Sequence, residues 1–166
     1  SAQDPVIMIA NSVYANGDGP GATPAIRNVF IWGTSDPIPD VDVHCFDTEA
    51  DMLEGWADFI RVSDPDVLMG YNSVNFDTKY LIGGSKNSGV VGRATGRARI
   101  LGRLLKQSTT GKEGKEFRGR QSMSFGISGR IQYDVLQVVQ KEFKLRYVFN
   151  FSFPPLANPT PSPQGL

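Results

Sequence analysis

Along the first 46 residues the apolar positions come in short, β-branched runs. PVIMIANSV (5–13), NVFIWG (28–33) and VDVHCF (41–46) are separated by ANGDGPGATP and SDPIPD. Clusters of Gly, Pro and Asp between such runs predict turns, and three strands joined this way read as an antiparallel meander. The rhythm then changes. Met52, Leu53, Trp56, Phe59 and Ile60 recur at helical spacing, with Glu49, Glu54, Asp58 and Arg61 on the wet face, so an amphipathic helix with Trp56 and Phe59 as core aromatics is expected. Thr48 and Asp51 have capping-box spacing, with Asp in place of Glu, and mark its start. Ser63, Asp64 and Pro65 mark its end, because a residue before proline is pushed out of the α region.

A buried strand is expected at Val67–Met69, a turn at 70–75 and the opening of a second helix at Thr78–Ile82. From Gly83 to Gly129 periodicity is weak. A short helix is predicted at Ala98–Leu105, and QSTTGKEGKEFRGRQS (107–122) reads as a mobile loop. SFGISGRIQYD then supplies a strand. VLQVVQKEFKL supplies a helix with Val135, Leu136, Val139 and Phe143 on one face. The final stretch, VFNFSFPPLANPTPSPQGL, holds five of the eleven prolines and predicts no regular structure after Phe153. Strands and helices in this order give a single α/β domain.

Composition narrows the class. At 166 residues, 40% apolar and 20% charged, the chain reads as one ordinary soluble domain. No apolar run approaches the roughly 20 residues of a membrane span, and the first residues lack the pattern of a signal peptide. These features predict the cytosol or nucleus and no membrane partner. One cysteine, Cys45, and one histidine, His44, exclude a disulfide or four-ligand zinc site within the chain. As strand neighbours they point to opposite faces, so a Cys-His nucleophile is not expected and Cys45 reads as a small buried hydrophobe.

Charge is divided sharply. Before Val67, twelve acids face only Arg27 and Arg61. Between Lys86 and Arg130, eleven bases face only Glu113 and Glu116. The basic stretch fits a polyanion-binding surface and, equally, a solvated loop.

Asp77 lies between the expected strand at 67–69 and the helix after it, at the type of junction where α/β proteins gather functional groups. A carboxylate there can simply cap the helix, for roughly 0.5–2 kcal/mol, and position alone favours the cap. Asp134, after GRIQY, is read as a cap for the same reason. Lys79 reads as a solvent-facing helix residue.

The string GYNSVNFDTKYL (70–81) resembles the second exonuclease motif of family B DNA polymerases, in which a strand leads into G-Y-N-x-x-N-F-D-x-x-Y-L. Gly70, Tyr71, Asn72, Asn75, Phe76, Asp77, Tyr80 and Leu81 recur in register. DPVIMIAN, FDTEADMLEGWADFIRVSDPDVLMGYN and SGRIQYDVLQVVQKEFKLR resemble the flanking segments, so the resemblance runs over residues 4–146.

It implies a ribonuclease H-like 3′ to 5′ exonuclease fold with sheet order 3-2-1-4-5, here incomplete, its central first strand and last helices missing. DPVIMIANSV would be the second strand and DVLMGYN the fourth. Either these pair directly or the sheet splits. Residues 1–150 would form the partial domain, with a basic loop at about 84–129, and 151–166 an irregular Pro-rich tail.

The resemblance also implies chemistry. Asp77 would bind a catalytic magnesium ion, which prefers oxygen ligands. Asn72 and Asn75 would bond sugar or phosphate oxygens, and Tyr71 and Phe76 would stack on terminal bases. The substrate would be a single-stranded 3′ end or primer-template DNA, the partners other polymerase subunits, and the compartment the nucleus. The family's first motif, Asp-x-Glu, and its third, a tyrosine with an aspartate four residues on, are not in these 166 residues. One carboxylate holds magnesium weakly, so the chain alone is expected to lack appreciable nuclease activity. The alternative is a non-catalytic module that binds nucleic acid or a partner subunit.

Overall fold

The computed structural model describes residues 4–82, 93, 101–104, 109, 111–113 and 123–143. The Pro-rich tail and most of the basic stretch lie outside the described residues. Strands β1 (Met8–Val13), β2 (Ile26–Trp32) and β3 (Asp42–Phe46) form one sheet in the order β1-β2-β3. β1 and β2 are antiparallel, as expected, but β3 runs parallel to β2, with Asn28 beside Asp42 and Trp32 beside Phe46. The antiparallel meander is therefore corrected at its third strand. Residues 33–41 are no tight hairpin turn. Nine residues extend to roughly 30 Å, enough to travel back past β2, which is about 23 Å long. Gly33, at φ +112°, starts the reversal.

Helix α1 (Glu49–Ser63) covers this sheet. Thr48 caps it, its Oγ1 accepting from Asp51 N–H at 3.1 Å, as the sequence predicts. Met52, Leu53, Trp56, Ala57 and Ile60 are buried, each larger apolar side chain contributing about 1.5–3 kcal/mol. Phe59 tilts against Phe30, with ring centroids 5.7 Å apart. Gly55 leaves room for Phe46, whose ring a Cβ there would meet at 2.7 Å. Cys45, expected to be buried, is exposed. It sits on an edge strand and on the face opposite Phe46, which the helix does not cover.

The remaining strands form separate sheets. β4 (Val67–Gly70) pairs in parallel with β7 (Ile131–Asp134), and β5 (Gly111–Glu113) pairs antiparallel with β6 (Met123–Phe125). β5 lies within the stretch read as a mobile loop, which is corrected there. Among the described residues β1 and β4 do not pair with each other. Helices α2 (Asp77–Ile82) and α3 (Val135–Glu142) follow β4 and β7. Residues 101–104 of the expected helix at Ala98–Leu105 are not helical. Gly102 instead lies against the backbone of Ser128, and Arg103 N–H donates to Ser128 O at 2.8 Å. Phe143 is 70% exposed, because α3 ends at Glu142 and Phe143 serves as its C-cap.

Three bases of the cationic stretch are occupied with acids of the anionic half. Arg130 donates to Asp64 at 2.8 Å and to the Ile60 carbonyl at 3.2 Å, at the end of α1, where the helix dipole favours a cation. Arg103 bonds Asp64 at 2.9 Å and Asp66 at 2.6 Å. Glu49 accepts from Val6 N–H at 2.8 Å and Arg93 Nε at 2.7 Å. Part of the charge division is thus structural.

The Arg93 guanidinium holds the Glu49 carboxyl below its ordinary value near 4.5. A lowered native pKa adds stability at neutral pH, and that gain is lost as pH falls through it. Glu49→Gln should therefore cost about 1–3 kcal/mol at pH 7. In urea denaturation, the gap between wild type and variant should narrow below about pH 4.5; a gap independent of pH would contradict the ion-pair role.

Candidate functional site

β4 and β7 end side by side, with Gly70 beside Asp134, and each is followed by a helix. The chain between them turns within residues 71–76 before α2 starts. Gly70 permits the reversal, since a Cβ there would lie 2.6 Å from Ser73 Cβ. Asn72 takes φ +55°, a left-handed conformation that asparagine tolerates better than most residues. Its Oδ1 accepts from Asn75 Nδ2 at 3.0 Å. Val74 is buried and anchors the turn in the core. Thr78 N–H donates to Ser73 O at 2.7 Å and Tyr80 N–H to Phe76 O at 2.8 Å.

This turn brings all five sequence-predicted site residues together. Asn75 and Asp77 are exposed, Tyr71 is 48% and Phe76 63% exposed, and Asn72 is half-buried. Asp77 is the first residue of α2. Among the described residues no hydrogen bond or ion pair reaches its carboxylate, so the capping role that position alone favours is not what Asp77 does. Tyr71, Asn75, Phe76 and Asp77 stand along one cleft of about 920 Å³, between β1 and β4.

Asp134 behaves oppositely. It caps α3, its Oδ1 accepting from Leu136 N–H at 3.1 Å. The same carboxylate reaches across to the turn, where Oδ1 accepts from Asn72 N–H at 2.8 Å and Oδ2 from Val74 N–H at 3.3 Å. The sequence points to the cap but not to this second tie, because nothing in it says that the two strand-helix junctions are neighbours. Asp134 is 7% exposed, and three N–H donors already occupy its oxygens.

Among the described residues, no three His, Cys, Asp or Glu side chains come together to hold a metal ion. Asp77 offers one exposed carboxylate, suited to a hard cation that keeps most of its water. The described residues do not make up a two-metal site. No helix among the described residues is long and apolar enough to cross a membrane.

Comparison with known proteins places this arrangement. Residues 1–152 match the model of "DNA polymerase family B, exonuclease domain". Over 147 residues the chain is 41% identical to the DNA polymerase delta catalytic subunit of Schizosaccharomyces pombe, covering 86% of this chain and 13% of that one. The same subunit of Oryza sativa subsp. japonica is 40% identical over 146 residues, covering 86% and 12%, and that of Caenorhabditis elegans 37% over 150 residues, covering 89% and 13%. The chain thus spans 12–13% of the length of these curated relatives and corresponds to the exonuclease region within them. It belongs to the exonuclease-domain family of the family B DNA polymerases.

Proposed function

We propose that this chain is the part of a proofreading 3′ to 5′ exonuclease that receives the DNA 3′ end, and that residues 71–77 are its contact surface. The observation that carries this is the Asp77 carboxylate, exposed and without a hydrogen bond among the described residues, beside Tyr71, Asn75 and Phe76. Family membership supports the same reading over that of a non-catalytic module.

In the proposal each side chain has a role set by its chemistry. Tyr71 and Phe76 stack on the last bases of a frayed strand. Asn75, with Asn72 behind it, bonds sugar or phosphate oxygens without adding negative charge beside a polyanion. Asp77 is one ligand of a divalent cation, magnesium being the best match to an oxygen donor that leaves water in place. When bound, such a cation polarises a phosphate oxygen and lowers the pKa of water. Residues 71–77 supply a single carboxylate, Asp77, so the chain by itself is expected to bind a 3′ end and not hydrolyse it. The ribonuclease H-like arrangement, primer-template DNA, other polymerase subunits as partners and a nuclear location belong to this proposal.

The test is anisotropy with a 3′-labelled single-stranded oligonucleotide at fixed salt. Phe76→Ala and Tyr71→Ala should each weaken binding by about 1–3 kcal/mol, while the thermal midpoint of Phe76→Ala hardly moves because that side chain is 63% exposed. Unchanged affinity in both variants would remove the stacking role.

A further inference from the structure

In the sheet ordered β1-β2-β3, β3 has a neighbour on one side only among the described residues. Gly33 N–H donates to Phe46 O at 2.9 Å, and the register places Trp32 beside Phe46 and Phe30 beside His44. In a parallel ladder the N–H and C=O of one residue point to the same side, and alternate residues face opposite sides. The backbone groups of Asp42, His44 and Phe46 therefore face β2, and those of Val43 and Cys45 face away from it. Among the described residues no backbone hydrogen bond reaches Val43 or Cys45 on that side. The open stretch has definite ends. Val41 N–H donates to Ile38 O at 3.2 Å before it, and Trp32 Nε1–H donates to Asp47 O at 3.0 Å after it. Between them the register runs without a bulge, and neither lysine nor proline, the usual protections of an exposed edge, occurs in Asp42–Phe46.

The charges around this edge select what it can pair with. Glu49, Asp58, Asp64 and Asp66 are each bonded to an arginine. Asp36, Asp40, Asp42 and Asp47 flank β3 or lie on it, are exposed, and have no ion pair among the described residues. Arg27 shares a small pocket with Asp40 and Asp42, and the rim stays net acidic. Such a rim repels a nucleic acid strand, and a second copy would set its acids against their like. A cationic segment meets neither penalty. Val43 is half-buried and Cys45 exposed on one face of the strand, while His44, stacked on Phe30 with ring centroids 4.9 Å apart, is on the other. An added strand would lay small apolar side chains beside Val43 and Cys45. Its ends would reach Asp42 and Asp47, which stand about 17 Å apart along the strand.

We propose that the outer edge of β3 accepts an extended segment of a partner protein as a further strand. The segment pairs with the backbone of Val43 and Cys45 and carries a short apolar centre, with lysine or arginine at each end against Asp42 and Asp47. The free backbone groups supply the pairing, and the acids supply the selectivity. This edge is the one remote from β1, and the proposal does not rest on the nuclease reading.

Amide hydrogen exchange of the full chain tests it, with the end-capped peptide Lys-Thr-Val-Thr-Val-Thr-Lys as probe. At millimolar peptide the amides of Val43 and Cys45 should exchange at least tenfold more slowly, while that of His44, already bonded to β2, stays unchanged. The same peptide with glutamate for both lysines should give no slowing. Nor should the lysine peptide N-methylated at its central residues, which removes the donors that pairing needs. The double variant Asp42→Asn, Asp47→Asn should bind the lysine peptide at least threefold more weakly, with the His44 amide reporting that it is folded. No slowing by the lysine peptide, equal slowing by the glutamate or N-methylated peptide, or unchanged affinity in the double variant would each overturn the proposal. So would protection of Val43 and Cys45 that rises with protein concentration without peptide and therefore comes from a second copy.

Discussion

Replacing Asp134 by alanine is expected to destabilise the fold by about 3 kcal/mol or more. The carboxylate is nearly buried and accepts three backbone N–H groups, from Asn72, Val74 and Leu136. Hydrogen bonds to a charged group contribute about 1.5–3 kcal/mol each, and removing the acceptor leaves donors without partners in a site closed to water. The loss combines the α3 cap with a buried side-chain tie between the two strand-helix junctions. Asp134→Asn should fall between wild type and alanine. Its Oδ1 can still accept from Asn72 and Leu136, but its amide would face the Val74 N–H, donor against donor. Urea denaturation of the three proteins checks the order. A loss below 1 kcal/mol for alanine would mean that water replaces the carboxylate and that the turn does not depend on it.

The legible parts of the fold are those written locally. α1 has its cap, its apolar face and its stop within 17 residues of one another, from Thr48 to Asp64, and the sequence yields all three. β1 and β2 are flanked by glycine and proline turns and were equally readable. What escaped depends on distant partners. Whether β3 pairs parallel or antiparallel to β2 is decided by the path of residues 33–41, and proline and aspartate in that stretch fit both. Residues 111–113, Gly-Lys-Glu, have no strand propensity of their own and are held by pairing with 123–125. Arg93, Arg103 and Arg130 look like free cations in the sequence, yet each is matched to an acid at least 37 residues away.

The candidate site divides in the same way. Its five residues were legible because they lie within seven positions of one motif. The support from Asp134 was not, since it spans 60 and 62 residues. Asp77 and Asp134 each lie where a chain leaving one of two paired strands enters a helix, and their chemistry separates only in three dimensions. One carboxylate is spent on backbone donors; the other is left exposed.

That contrast sets the second large effect. Asp77→Ala should leave stability within about 0.5 kcal/mol of wild type, because the side chain is exposed and makes no hydrogen bond among the described residues. If Asp77 is a metal ligand, as proposed, the cost of its loss should fall on catalysis wherever the other ligands are supplied. A cation that stabilises transition-state charge contributes several kcal/mol, so losing one of its ligands should slow hydrolysis on the order of 10²-fold or more. The two aspartates thus predict opposite phenotypes, and measuring both properties in both variants separates a ligand from a structural support.

The most direct measurement places residues 4–146 of this chain in the exonuclease region of the fission-yeast delta catalytic subunit, with Asp77 intact or as Asp77→Ala, and follows magnesium-dependent removal of a mismatched 3′ nucleotide. Efficient removal with Asp77 and a loss of at least 10²-fold with alanine, at equal thermal stability, is the predicted result. Equal removal by both proteins would contradict the assignment of Asp77 as a metal ligand, and with it the reading of residues 71–77 as the site that receives the DNA end.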